Sequence, residues 1–492
     1  MSANENVSWL LMATSGIQNY IFGSNRLRLA LAGSSIVSRL FDSDLAKILK
    51  ELGLDLHQDK LDAGSFEKGY IGGGNALLLF KDEDKASAFI RKFSRFCLET
   101  YPGLQVLYAA DRAKPDAAGE DFREIMANLF SRLDQQKALK LRTRPTIFGF
   151  NDTCRFGGGA ASHLSSEALL PASSGTPIDH PTYLKLKDYH QSREVIPPPE
   201  GFEYPTELDK MGQSQGDSWI AVVHADGNGL GQHIADADSL NQLRELSQAF
   251  STLVCKAFEG MVEKLRAQRR LWSEELDLEE DILPLRPVIL GGDDATWICE
   301  YRLGLLSAAE FMNAFKTQSN GKFTACAGIT ICKTSYPFFR AYHMAEVLCT
   351  NAKKHFRQTN NTPAFDFHVI RGHESSDIQA VRKQQQMNSQ GISLTQRPLS
   401  LEDWKKHQLF LTRHKSRNRG WFQEMRNAVH LTDAEQKSQR RNWKIRNEDI
   451  ESDELWGIRQ NLLHSGKSTP FLDSYEIREL TIQSMLEEYS VE

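Results

Sequence analysis

The chain has no CxxC pair among its seven cysteines, no long apolar run, and no large excess of charge of either sign. The first absence argues against a structural zinc site, which needs paired thiolates at short spacing. Most of the cysteines sit inside apolar stretches, as reduced core thiols do in a reducing compartment. The second excludes a helical membrane span, because no stretch approaches the roughly 20 apolar residues that cross a bilayer. The N-terminus, MSANENVSW, has no basic start followed by an apolar stretch, so no signal peptide is expected and the chain is predicted to be cytoplasmic. A net charge of −5 makes no overall case for nucleic acid. What remains is 492 residues of ordinary soluble composition, enough for two to four domains.

A repeat organises most of that length. PVILGGDDATWIC at 287–299 matches KGYIGGGNALLLF at 68–80: strand, Gly-Gly, two small or acidic residues, strand. Each hairpin follows a strand (SWLLMATSGIQ from Ser8, SWIAVVHADGNGLG from Ser218) and a long amphipathic pattern, about 23–52 in one copy and 239–270 in the other. A helix, a strand and a third helix come after each hairpin, with final strands expected at TIFGF and AFDFHVI. This order predicts an α+β fold, helices on one face of a mainly antiparallel sheet, twice over. Boundaries are expected near 155, 217 and 371. They give a first domain at 1–154, a Gly/Ser/Pro-rich irregular connection at 155–217, a second domain at 218–370, and a polar helical domain at 371–492.

The two copies differ where chemistry is carried. Asp293 and Asp294 stand at the tip of the second hairpin, and Asp226 ends the strand before it. Three carboxylates brought together by a sheet, with main-chain carbonyls and substrate phosphates, suit two Mg²⁺ or Mn²⁺ ions. Gly291 and Gly292 let the turn bend tightly. Gly227, Asn228 and Gly229 bring main-chain groups against phosphate, and Lys353 and Lys354 in CTNAKKH supply positive charge. The first copy has Gly74 and Asn75 at its tip, and Ser15 is expected at the position of Asp226. It is read as a partner surface without a metal centre. His224, two residues before Asp226, is read as a buried strand histidine.

These segments resemble the large polymerase–cyclase subunit of type III CRISPR effector complexes, whose paired palm domains relate to GGDEF nucleotide cyclases. The resemblance rests on SGIQNYIFGSNRLRLALAGSS in the first copy and on HADGNGLG, LGGDDA, ACAGITIC and NAKK in the second. It implies two tandem ferredoxin-like palm domains followed by a C-terminal helical domain. It implies metal binding at Asp226, Gly227, Asp293 and Asp294, and nucleotide contacts at Gly16, Gln18, Ser34, Ser35 and Gly73. The implied activity joins ATP into cyclic or short linear oligoadenylates for antiviral defence. The implied partners are CRISPR RNA, target RNA and other effector subunits, met through the C-terminal helices. Two alternatives stay open: a non-catalytic nucleotide-binding scaffold, and a stand-alone cyclic dinucleotide synthase. No His-Asp dipeptide occurs, so the nuclease domain that begins many relatives is not matched.

Two further features are weighed. SGKST at 465–469 ends like a P-loop, but position 461 is Asn and Pro470 is expected to stop the following helix, so a plain loop is read there. Residues 405–446 carry twelve Lys or Arg against three Asp or Glu, with Trp404, Trp421, Phe422 and Trp443 among or beside them. Such interleaving follows a phosphate backbone and stacks bases, or forms a solvated helical face over core tryptophans.

Overall fold

The computed structural model describes residues 6–485, apart from 25, 57–60, 62–64, 140–148, 171–173, 190–195, 213–217, 279–280, 373–377, 388–390, 447–462 and 464–467. The first half runs β1 (Val7–Ser15), α1 (Ile17–Phe22), α2 (Leu27–Arg39), α3 (Leu45–Glu51), β2 (Phe66–Gly72), β3 (Asn75–Phe80), α4 (Glu83–Thr100), β4 (Gln105–Ala113) and α5 (Glu120–Leu139). The connection holds β5 (His163–Leu164), β6 (Pro177–Ile178) and α6 (His180–Tyr189), so it is not wholly irregular. The second half runs β7 (Trp219–Gly227), α7 (Leu230–Ala235), α8 (Leu240–Ala267), α9 (Arg269–Ser273), β8 (Leu285–Gly291), β9 (Asp294–Glu300), α10 (Gly304–Gln318), β10 (Ala325–Lys333), α11 (Phe338–Gln358) and β11 (Ala364–Val369). The C-terminal part holds α12 (Ile378–Gln385), β12 (Leu399–Ser400), α13 (Leu401–Arg413), α14 (Arg419–Ala428), α15 (Asp433–Ile445) and α16 (Phe471–Glu479).

Both sheets share one plan. The first has the order β2-β3-β1-β4; the second repeats it as β8-β9-β7-β10 and adds β11 and β12 beyond β10. β11 runs parallel to β10, so the second sheet is mixed. TIFGF falls mostly outside the described residues, whereas AFDFHVI forms β11 as expected. Even irregularities repeat: β2 slips register between Lys68 and Tyr70, β8 between Pro287 and Ile289.

Helices cover both faces of each sheet, not one. Strand alternation sends Leu10 and Met12 to one face of the first sheet and Trp9 and Leu11 to the other. The first face packs on α3 and α4; the second packs on α5 and on Leu240 and Leu243 from α8 of the other half. The loan is returned: Leu27, Ala30 and Leu31 of α2 pack on Ile220, Val222 and Ile298 of the second sheet, beside α11. The Ser34 hydroxyl of α2 donates to the carbonyl of Val288, the extra residue in β8. Reciprocally, Arg244 Nε of α8 donates to the carbonyl of Gly69, the extra residue in β2, at 2.7 Å. Arg244 also pairs with Glu67 at 2.5 Å.

The C-terminal helices share the core of the second half. Trp404, Trp421, Phe422 and Trp443 are all buried in it. Base stacking by these rings is therefore excluded, and the local cations lie over an ordinary core. Several of those cations are neutralised within the region, Arg446 by Glu424 and Lys406 by Glu402. Pro470 does not stop a helix; it stands at the start of α16. Residues 465–467 of SGKST lie outside the described residues. Among the described residues no helix is long and apolar enough to cross a membrane.

The halves meet tip to tip. A Cβ on Gly292 would lie 3.1 Å from Gly73 Cα and 3.2 Å from its nitrogen, and Gly292 has φ +65°. Gly292→Val is expected to destabilise the chain by about 1–3 kcal/mol. Gly291→Ala, at a position with open space around it, should stay within about 0.5 kcal/mol of the parent. Urea unfolding midpoints check both.

Candidate metal and nucleotide site

Antiparallel pairing places Asp226, in β7, directly opposite Asp294, the first residue of β9. The turn between β8 and β9 presents Asp293, whose carbonyl accepts the Gly227 amide at 3.1 Å. Since residues two apart in a strand share a face, His224 joins Asp226 above the same side of the sheet. One ring nitrogen of His224 and one carboxylate oxygen each from Asp226 and Asp294 lie within 4.8 Å of one another. The Asp293 carboxylate is outside that group.

Lys353 reaches in from α11. Its Nζ lies 2.5 Å from Asp226 Oδ2 and donates to the Gly227 carbonyl at 3.1 Å. Asp226 Oδ1 is buried with no hydrogen-bond partner among the described residues. An orphaned carboxylate oxygen, a second carboxylate, a histidine and a nearby main-chain carbonyl form a donor set that fits a divalent cation. The Lys353 ammonium supplies a counter-charge in the metal-free arrangement. Burial pushes the Asp226 carboxyl up, with Asp293 adding to the effect and Lys353 opposing it. Burial pushes the Asp294 carboxyl up much further, reinforced by Asp226 and Asp293. His224 is pushed down to about 4 by burial and by Lys353, so its ring is neutral. Its Nδ1 lies 3.1 Å from Thr296 Oγ1.

The first half contributes α1. Gln18 donates to Glu346 of α11, which also accepts from the Tyr342 hydroxyl at 3.1 Å. A cavity of about 470 Å³ opens here, lined by Gln18, Phe22, Phe339, Tyr342 and Glu346. Burial pushes both the Glu346 carboxyl and the Tyr342 hydroxyl up, the Tyr342 hydrogen bond opposing the rise at Glu346, and the charge of Glu346 adds to the rise at Asp294. Sequence reasoning missed Glu346; its spacing of seven residues from Lys353, two turns along one helical face, was the available signal.

The remaining expected residues fall as follows. Gly16 and Gly229 both adopt left-handed conformations, φ 71° and 74°, immediately before α1 and α7. Asn228 is tied to Thr324 through both its main-chain and side-chain nitrogens. Gly73 touches Gly292, and Gly291 closes β8. Ser34 and Ser35 are buried in α2, the Ser34 hydroxyl being engaged with Val288. Lys354 points to solvent while Lys353 points into the site. One expectation is corrected. Ala13, not Ser15, occupies the place of Asp226, because Ala13 pairs with Asn75 as Asp226 pairs with Asp294. Ser15 matches Asn228, each followed by the left-handed glycine that starts the next helix.

Two abutting sheets of shared topology, one of them carrying paired aspartates at its hairpin tip, define a tandem palm fold. Residues 219–362 match the family model of the Cas10/Cmr2 second palm domain. The chain as a whole is similar to Cas10-like polymerase–cyclase subunits in fold. A solved structure of Csm1 from T. onnurineus superposes with a TM-score of 0.60 at 14% identity, covering 98% of this chain and 70% of that one. An apo Csm1–Csm4 cassette gives 0.60 at 14% identity, covering 97% and 70%. A Csm1–Csm4 cassette in complex with cA3 gives 0.58 at 14% identity, covering 98% and 70%. No curated protein matches the sequence.

The raised affinity of Asp294 for a proton has a consequence for stability. A carboxyl bound more tightly to its proton in the folded chain than at its usual 3.8 stabilises the fold fully below that value. The stabilisation is lost as pH rises through the folded value. Asp294→Asn, which stays neutral, should therefore melt higher than the parent at pH 7 in EDTA. The difference should vanish near pH 3, and calorimetric scans across that range check it.

Proposed function

We propose that the chain is a metal-dependent nucleotidyltransferase that joins ATP into cyclic or short linear oligoadenylates within type III CRISPR defence. The observation that carries this reading is the pairing of Asp226 with Asp294 beside Lys353, at a hairpin tip pressed against the tip of the first half. The family match over 219–362 and the fold shared with Csm1 support it. So does the nature of the ligands named for the similar cassettes, which include cA3, cA4 and ATP.

In this reading Asp226 and Asp294 would hold Mg²⁺ or Mn²⁺, with Asp293 and the Gly227 carbonyl as the further ligands. A bound divalent cation supplies charge neutralisation for phosphates and for a 3′ hydroxyl. Lys353 exchanges its bond to Asp226 for triphosphate oxygens. The first half, whose matching positions are Ala13 and Asn75, presents the acceptor nucleotide across the glycine contact. The 3′ oxygen of that acceptor attacks the α-phosphorus of the donor in line, and pyrophosphate leaves. The C-terminal helices are the proposed contact to other effector subunits; that similar structures are Csm1–Csm4 assemblies supports a protein partner.

Radiolabelled ATP incubated with Mn²⁺ and the full chain, with and without guide and target RNA, is expected to yield oligoadenylates. Asp293→Ala combined with Asp294→Ala should lower the rate by at least about 100-fold. Lys353→Met should raise KM for ATP more than it lowers kcat. Absence of any product under all conditions would favour a scaffold, and a cyclic dinucleotide formed without RNA would favour a stand-alone synthase.

A further inference from the structure

The duplicated sheet supplies an internal control for each residue of the site. Ala13 matches Asp226 and Asn75 matches Asp294, so Leu11 matches His224 and Leu77 matches Thr296. In the first half Leu11 and Leu77 face each other across β1 and β3 as a fully buried apolar pair. The scaffold thus accepts leucine at this point without difficulty. The second half instead buries an imidazole there, 7% exposed, beside a buried threonine. Burying a polar ring where an apolar one fits costs stability unless its nitrogens are used.

Among the described residues only one nitrogen has a partner. Nδ1 meets Thr296 Oγ1 at 3.1 Å, and Nε2 has no hydrogen-bond partner among the described residues. A ring nitrogen also lies within 4.8 Å of oxygens of both Asp226 and Asp294. Donors on opposite sides of an ion with bonds of about 2.1 Å are about 4.2 Å apart, so the cluster closes on one ion with small side-chain movements. A ring held by a hydroxyl on one nitrogen and given to a metal on the other follows the usual pattern of metal-bound histidine.

We propose that His224 is a protein ligand to the cation held by Asp226 and Asp294, and that the site therefore takes a first-row transition ion such as Mn²⁺ ahead of Mg²⁺. This rests on the reading of the two aspartates as a cation site. Carboxylate oxygens alone suit Mg²⁺; adding an imidazole shifts preference toward ions that accept nitrogen.

Pulsed EPR of Mn²⁺ bound to the full, tag-free chain without nucleotide tests it. The expected result is ¹⁴N modulation from a directly bound imidazole. His224→Leu, the residue its twin carries, should fold, lose that modulation and bind Mn²⁺ at least about 10-fold more weakly, while Mg²⁺ affinity changes less. Mn²⁺ bound without ¹⁴N modulation, in a site that Asp226→Asn abolishes, would overturn the role of His224 and leave the aspartate reading standing. Failure of the parent to bind Mn²⁺, or equal binding by Asp226→Asn, would overturn both.

Discussion

The contact of Gly73 with Gly292 is the constraint on which the rest of the arrangement depends. A Cβ on Gly292 would press on the backbone of Gly73, so the second tip can approach this closely only without a side chain there, while Gly73 is favoured by its left-handed φ of +58°. The approach is held from outside by exchanged helices. α2 gives its N-terminal turns to the second sheet and α8 gives its N-terminal turns to the first. The carbonyl of the extra residue in each hairpin is satisfied by a donor from the other half, Ser34 in one direction and Arg244 in the other. An extra residue in a strand leaves main-chain groups unpaired, and burying them without a partner is costly. Each half therefore completes the hydrogen bonding of its twin's hairpin.

Within that symmetric frame the chemistry is asymmetric. Leu11, Ala13 and Asn75 become His224, Asp226 and Asp294 at matched positions of the same scaffold. The first set needs no ion; the second crowds two carboxylates whose burial and mutual repulsion push their proton affinities up. Without a cation, the Lys353 ammonium stands against Asp226 and opposes that rise. The electrostatic strain is local, lies at the hairpin tip, and is relieved by the kind of ligand the site is built to take.

Much of this was legible in the residues. The repeat disclosed the element order, since Gly-Gly between two apolar strands recurs with helices at matched offsets. The convergence of Asp226 with Asp294 followed from strand order. The register did not. Ser15-Gly16 and Asp226-Gly227 look alike in print, and only cross-strand pairing, a non-local property, shows that Gly16 answers Gly229. The helix exchange was equally hidden, because an amphipathic pattern states that a face is buried without stating against which half. The tail stayed undecided for a related reason: cations beside tryptophans read the same whether the rings are outside or, as here, in the core.

The C-terminal part is bound to the site through buried charge. Asp366 of β11, fully buried, accepts from Arg382 of α12 at 2.7 Å and from Asn351 of α11 at 2.6 Å. Arg397, also buried, pairs with Asp473 of α16 at 2.8 Å and donates to the Phe367 carbonyl at 3.1 Å. Removing one partner from such a pair strands a charge in the core at about 3–5 kcal/mol. Movement of α12 or α16 away from β11 is therefore resisted more strongly than movement of the whole group together. Asn351 precedes Lys353 by two residues on α11, so the helix carrying the site's ammonium is coupled to the C-terminal helices by groups that cannot separate cheaply.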